Sequence, residues 1–146
     1  MIGMGTLQPV VALAAWTMVM WLWLWLYATR LPAIGKAKID TAGWVGGKGV
    51  DLDAMLPPQV QWKAHNYNHL HEAPTVFYAI ALLLALIGEG DGTNAAIAWA
   101  YVGLRIIHSL IQATINKVIL RFSIFALSSL CLTALIVRAA IAVFSQ

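Results

Sequence analysis

Apolar positions run along this chain in long blocks, not in short alternating patches. Four stretches each carry about twenty or more mostly apolar residues, the length an α-helix needs to cross a bilayer. The pattern predicts spans at Leu7–Thr29, Val60–Gly88, Thr93–Asn116 and Leu120–Phe144. Short connections separate the last three spans, so these are expected to be antiparallel neighbours. The expected fold is an all-α membrane protein, a four-transmembrane-helix bundle in a single domain covering 1–146. No repeat or low-complexity tract appears, and the first span reads as a retained helix because it lacks a basic leader and a small-residue cleavage site.

Only the connection between the first two spans is long enough to hold structure of its own. It is rich in glycine and carries Pro32, Pro57 and Pro58 near its ends, so it is expected to pack over the mouth of the bundle. Its "GGKG" lacks the Gly-x4-Gly-Lys-Ser/Thr spacing and the preceding strand of a phosphate loop.

Composition agrees with the pattern: 61% of the 146 residues are hydrophobic, only 10% are charged, and the mean hydropathy is +0.78. The net charge of +3 is spread along the span ends with no aromatic-interleaved basic patch, which excludes nucleic acid as a partner. Arg30, Lys36, Lys38 and Lys48 follow the first span, Lys117 and Arg121 lie at the third connection, and the turn "GEGDGTNA" has no base. The positive-inside rule then places both termini on the non-cytoplasmic side. Cys131 has no cysteine to pair with in the chain and reads as a small packing residue. Trp16, Trp21, Trp23 and Trp25 fall on several faces of the first span, and those near Arg30 suit an interfacial belt.

The polar residues inside the apolar blocks are what point to chemistry. Arg105, His108, Gln112 and Asn116 share one face of the third span, while His65, Asn68 or His69, and Glu72 form a comparable stripe on the second. Helical rise puts Glu72 roughly 15 Å, and Arg105 roughly 18 Å, above the basic end of the bundle. An unpaired charge at that depth costs several kcal/mol, so Glu72 and Arg105 are expected to pair inside the bundle or across a subunit contact. Pro74 cannot donate to the Leu70 carbonyl, so the second span should bend beside Glu72 and leave a backbone acceptor facing a polar crevice. His65, His69 and Glu72, with His108, are also a conceivable metal set, but histidine-box oxygenases need more histidines than the four present.

The segment "RIIHSLIQATINKVILRFSIFALSSL", with Arg105, His108, Asn116, Arg121 and Phe122 in register, resembles the third and fourth helices of the MAPEG family, the membrane-associated proteins of eicosanoid and glutathione metabolism. The segment "NYNHLHEAPTVFYA" is similar to the family's second helix through Glu72, Pro74 and Phe77. This resemblance implies a homotrimer in the membrane lipid, with a site at each subunit interface opening to the cytoplasm. It further implies glutathione as cosubstrate, Arg121 as the catalytic cation beside its thiolate, and Arg30, Glu72, His108 and Asn116 as contacts to its amine, carboxylates and amides. Asn68, His69, Arg105 and Gln112 complete the implied binding crevice, and a hydrophobic small-molecule substrate would enter from lipid. The chain departs from the family pattern at His69, where asparagine is usual, at Lys63 or His65, where an arginine is often found, and at Gln112, where an aromatic is expected. The implied activity is a glutathione-dependent transferase or peroxidase acting on hydrophobic electrophiles. The rival is a non-catalytic subunit or lipid-binding protein of the same fold. Compactness and similarity to short family members suggest a bacterial inner membrane.

Overall fold

The computed structural model describes residues 1–25 and 30–145. Six α-helices account for most of them: α1 (Leu7–Trp25), α2 (Arg30–Lys36), α3 (Pro58–His69), α4 (Ala73–Leu86), α5 (Thr93–Ala113) and α6 (Val118–Phe144). Short 3-10 turns occur at Met4–Thr6 and Gly49–Leu52, and there is no strand among the described residues. Four helical segments are long and apolar enough to cross a membrane: Met4–Leu24, Pro58–Leu86, Thr93–Ala113 and Val118–Phe144. They match the four predicted spans. The predicted end of the first span at Thr29, and the side chain of Trp25, lie outside the described residues.

The second span is two helices in line. Pro57 and Pro58 open α3, where a fixed φ and a missing N–H suit a helix start. Pro74 sits in the first turn of α4, so it cannot donate back across Leu70–Glu72, and α3 stops at His69. The expected bend is therefore a full break of three residues.

Side chains from four of the helices and the break after α3 fill one core, with Leu13 and Met20 from α1, Leu70 after α3, Phe77 and Leu84 from α4, Tyr101 and Val102 from α5, and Leu135 from α6. The Phe77 and Tyr101 rings stack with centroids 4.5 Å apart, a pairing worth about 1 kcal/mol beyond simple contact. Many large apolar side chains point outward instead, including Val11, Trp99, Ile119, Leu130 and Ile141. In a lipid solvent this is the unstrained arrangement, because tails are as apolar as leucine and packing, not water exclusion, holds the helices together.

One end of the bundle is tightly fastened. Gly3 N–H donates to the Ala85 carbonyl at 2.9 Å, Gly5 N–H to Asp91 Oδ1 at 2.7 Å, and Thr6 Oγ1 to the Ala81 carbonyl at 3.0 Å. A Cβ on Gly90 would lie 2.9 Å from the Gly3 carbonyl carbon, so two backbones meet here where only glycine fits. This is the turn end. At the opposite, loop end, a satellite core of Leu52, Leu56 and Val60 packs with Ala33, Ile34 and Ile39, seating the 37–57 connection on α2 and α3. That seating agrees with the expectation that the connection covers the bundle mouth.

Candidate functional site

Two of the cavities near the loop end gather the polar side chains, and these two share no lining residue. The larger, about 550 Å³, lies against α1 and α3 and is lined by Trp21, Arg30, Lys48, Asp53, His65, Tyr67 and Asn68 among others. The smaller, about 230 Å³, is bounded by His69, His108, Val118, Arg121, Phe122 and Phe125.

Arg30 organises the first cavity. Its Nη2 donates to the Gly49 carbonyl at 3.1 Å and to Gln61 Oε1 at 3.2 Å, and lies 3.7 Å from Asp53 Oδ1. Gln61 in turn donates through Nε2 to the Leu52 carbonyl at 3.0 Å, and His65 Nε2 stands 3.4 Å from Asp53 Oδ2. Burial pulls the Arg30 guanidinium below its ordinary pKa, while Asp53 offsets part of that pull. The result is a clamp of one cation, one carboxylate and one amide that ties the long connection to α3.

The second cavity is built at the α5–α6 corner. Asn116 takes a left-handed conformation with φ 52°, and its N–H returns to the Ile111 carbonyl at 2.7 Å, closing α5. Its side-chain oxygen accepts from Arg121 Nη1 at 2.7 Å, which holds the guanidinium over the corner. His108 Nδ1 lies 3.0 Å from the Arg121 carbonyl, an atom that only accepts, so Nδ1 carries the proton. Its Nε2 lies 3.1 Å from Gln112 Oε1. Phe125, one turn beyond Arg121, contacts the His69 and His108 rings with centroids 5.9 and 6.1 Å away, and the Arg105 guanidinium carbon lies 5.7 Å from its ring. The predicted stripe of Arg105, His108 and Gln112 is thus buried along one face of α5, with Asn116 just past its end.

Within the chain, the expected Glu72–Arg105 ion pair is not formed. The Glu72 side chain is 63% exposed, and its Oε2 lies 3.1 Å from His69 Nδ1. That contact is electrostatic, since its alignment falls short of a hydrogen bond. Arg105 is 1% exposed and donates through Nη2 to the His69 carbonyl at 3.0 Å. The reason lies in the helix break. Where α3 stops, its terminal carbonyls lose their helical donors and present a partial negative charge, which the cation caps. The same three residues turn Glu72 outward. The matched depth of Glu72 and Arg105 was therefore legible, but the acceptor is backbone.

The structure gathers His69, His108 and Arg121 around one cavity, with Gln112 and Asn116 as their immediate supports. It puts Arg30 and Asn68 on the other. His65 also lies there, away from His69 and His108, and among the described residues no three His, Cys, Asp or Glu side chains converge as metal ligands.

The match between this corner and a known pattern extends over nearly the whole chain, because the model of the MAPEG family covers residues 6–141 of 146. The chain belongs to the MAPEG family. No curated protein and no solved structure matches it significantly. As a MAPEG member with four membrane-capable helices, it is an integral, multi-pass membrane protein.

Several residues of this MAPEG site were not singled out by sequence. Phe125 falls four positions after Arg121, on the same helical face, so its spacing was an available signal. Tyr101 and Ser109 flank Arg105 at four-residue intervals, and their hydroxyls, like both polar atoms of Asn66 on α3, are buried without a hydrogen-bond partner. Asp53 completes the Arg30 clamp from a connection without periodicity, which left no pattern to read, and Gln61 does so from the first turn of α3.

Proposed function

We propose that this MAPEG protein is a glutathione-dependent transferase or peroxidase acting on hydrophobic electrophiles. The observation that carries the reading is the placement of Arg121. Its guanidinium is held by Asn116 at the edge of a cavity with apolar walls at Val118, Phe122 and Phe125. A free thiol has a pKa of about 8.5, so a fixed cation beside it favours the nucleophilic thiolate. The apolar walls suit an apolar second substrate, and where such a substrate displaces water the attraction is stronger than it would be in bulk solvent.

A homotrimer fits this reading. Arg30 and Asn68 lie on one cavity and Arg121 on another, so a folded tripeptide that touched both sets would bridge two copies of the chain. The basic loop end would face the cytoplasm under the positive-inside rule, with both termini opposite. Arg30, Asn68, His69, Glu72, His108, Gln112 and Asn116 are the candidates for contacts to glutathione's charged ends and amides, with Arg105 supporting them from below.

Purified protein in mild detergent, titrated with glutathione by calorimetry, tests the proposal. Saturable binding by the wild type and its loss in Arg121→Ala are expected, with the oligomer mass measured on the same sample at three chains. A correctly folded wild type that takes up no glutathione would refute it.

A further inference from the structure

His69 closes α3 at the helix break, on the side that faces α5 and α6. Two anchors fix it. Its carbonyl accepts from Arg105 Nη2 at 3.0 Å, and its Nδ1 faces Glu72 Oε2 at 3.1 Å. The ring also borders the Arg121 cavity, with its centroid 5.6 Å from that of His108 and 5.9 Å from that of Phe125. A carboxylate at Nδ1 stabilises the tautomer with the proton on that nitrogen, which leaves the lone pair on Nε2. Base and fixed cation therefore border one cavity, with the carboxylate beside the base and outside that cavity. Each has a separate task.

Resting on the thiol-transfer reading above, we propose that His69 is the general base of this site and Glu72 its positioning carboxylate. Nε2 of His69 takes the proton as the S–H bond of the thiol breaks, and the sulfur keeps the electron pair beside Arg121. With an activated nitroaryl chloride as electrophile, that pair forms the C–S bond. Chloride leaves with the electrons of the C–Cl bond, and the imidazolium returns its proton to water. No oxidant or further reactant is needed. Glu72 faces the ring from the helix break, Arg105 and His108 from α5, and Arg121 from α6, so the base works within a field of one carboxylate and two guanidinium groups. The departure of Glu72 from the expected buried pair gains a purpose here: a carboxylate bound to Arg105 could not orient the imidazole.

The test compares wild type, His69→Ala, His69→Asn and Glu72→Gln as full-length protein in detergent, with glutathione and the nitroaryl chloride. In the wild type, kcat/KM should rise with pH as the base loses its proton. His69→Ala and His69→Asn should lose that limb and fall about a hundredfold at neutral pH, in the range of a lost general base. Added imidazole should restore part of the rate to His69→Ala, and to no other variant. Glu72→Gln should keep the limb, displaced in pH, with a smaller fall in kcat. Glutathione binding measured by calorimetry should survive in His69→Asn, with oligomer mass and melting temperature confirming the fold. Binding and turnover with an unchanged pH profile in His69→Asn would overturn the assignment while leaving the transferase reading intact. Absence of glutathione binding in the wild type would overturn both.

Discussion

Arg30 and Arg105 are both buried cations in a chain with little charge, and the two ends of their helices meet that cost differently. Arg30 lies at the edge of the apolar region, where a connection can fold back over it. Asp53, Gln61 and the Gly49 carbonyl all come from sequence outside the spans or at their start. Arg105 lies among the spans, where no connection reaches. Its acceptor is made by breaking the neighbouring helix, and its Nε and Nη1 find no hydrogen-bond partner among the described residues. A cation at the membrane edge is matched by adding chain, and one within the spans by removing a helical bond.

The comparison is most open to attack at Arg105. Arg105→Leu should lower stability by roughly 2 kcal/mol, since it removes a charged hydrogen bond and leaves the His69 carbonyl with only the long Glu72 N–H contact at 3.4 Å. Thermal unfolding followed by tryptophan fluorescence in detergent reads this out, and a neutral or stabilised variant would show that the His69 carbonyl does not depend on the cation. Pro74→Ala sharpens the point. With an N–H restored at that position, the Leu70 carbonyl can regain its helical donor and the cap at His69 loses importance. The cost of Arg105→Leu should then shrink by about 1 kcal/mol in a double-mutant cycle. Equal costs in the two backgrounds would separate the break from the cap.

At Arg30 the effects should be smaller and local. Gln61→Leu removes an acceptor for Arg30 and a donor to the Leu52 carbonyl, a loss of about 1 kcal/mol. Limited proteolysis should find the 37–57 connection cut faster, with α5 and α6 still protected. Asp53→Asn should cost less, under about 1 kcal/mol, because the Asp53 contacts to Arg30 and His65 are long and partly solvated. Its effect on the melting temperature should fade at high salt, as screening predicts for exposed pairs. A salt-independent loss would mean the carboxylate acts as a buried partner.

Much of the fold was legible because the bilayer imposes it. Blocks of apolar residues gave the four spans, and the spacing of Arg105, His108 and Gln112 gave the polar face of α5. The α5–α6 corner was legible too, through Asn116 and Arg121 in register with a family pattern. Glu72 was not. Periodicity assumes an unbroken helix, and three non-helical residues rotate everything beyond them by an angle that tertiary packing sets. Reading Pro74 as a bend kept Glu72 on the inner stripe, whereas the break releases it to the surface beside His69. Nor was Asp53 legible as a partner of Arg30, because a connection without regular structure has no face from which contacts can be inferred, and Gln61 on α3 meets Arg30 only where that connection folds back.

The fastening at the turn end bears on how the whole molecule can deform. Gly3, Gly5 and Thr6 are bonded to α4 and the turn after it, and Asn94 at the start of α5 accepts from Arg138 of α6. Three spans and the chain's first residues are thus gripped at one level, like the spring of a clothes peg. Both cavities lie at the other end. Any slack between the helices is amplified by the length of the lever, so the jaws that can part to admit a bulky guest are the ones that carry His69 and Arg121.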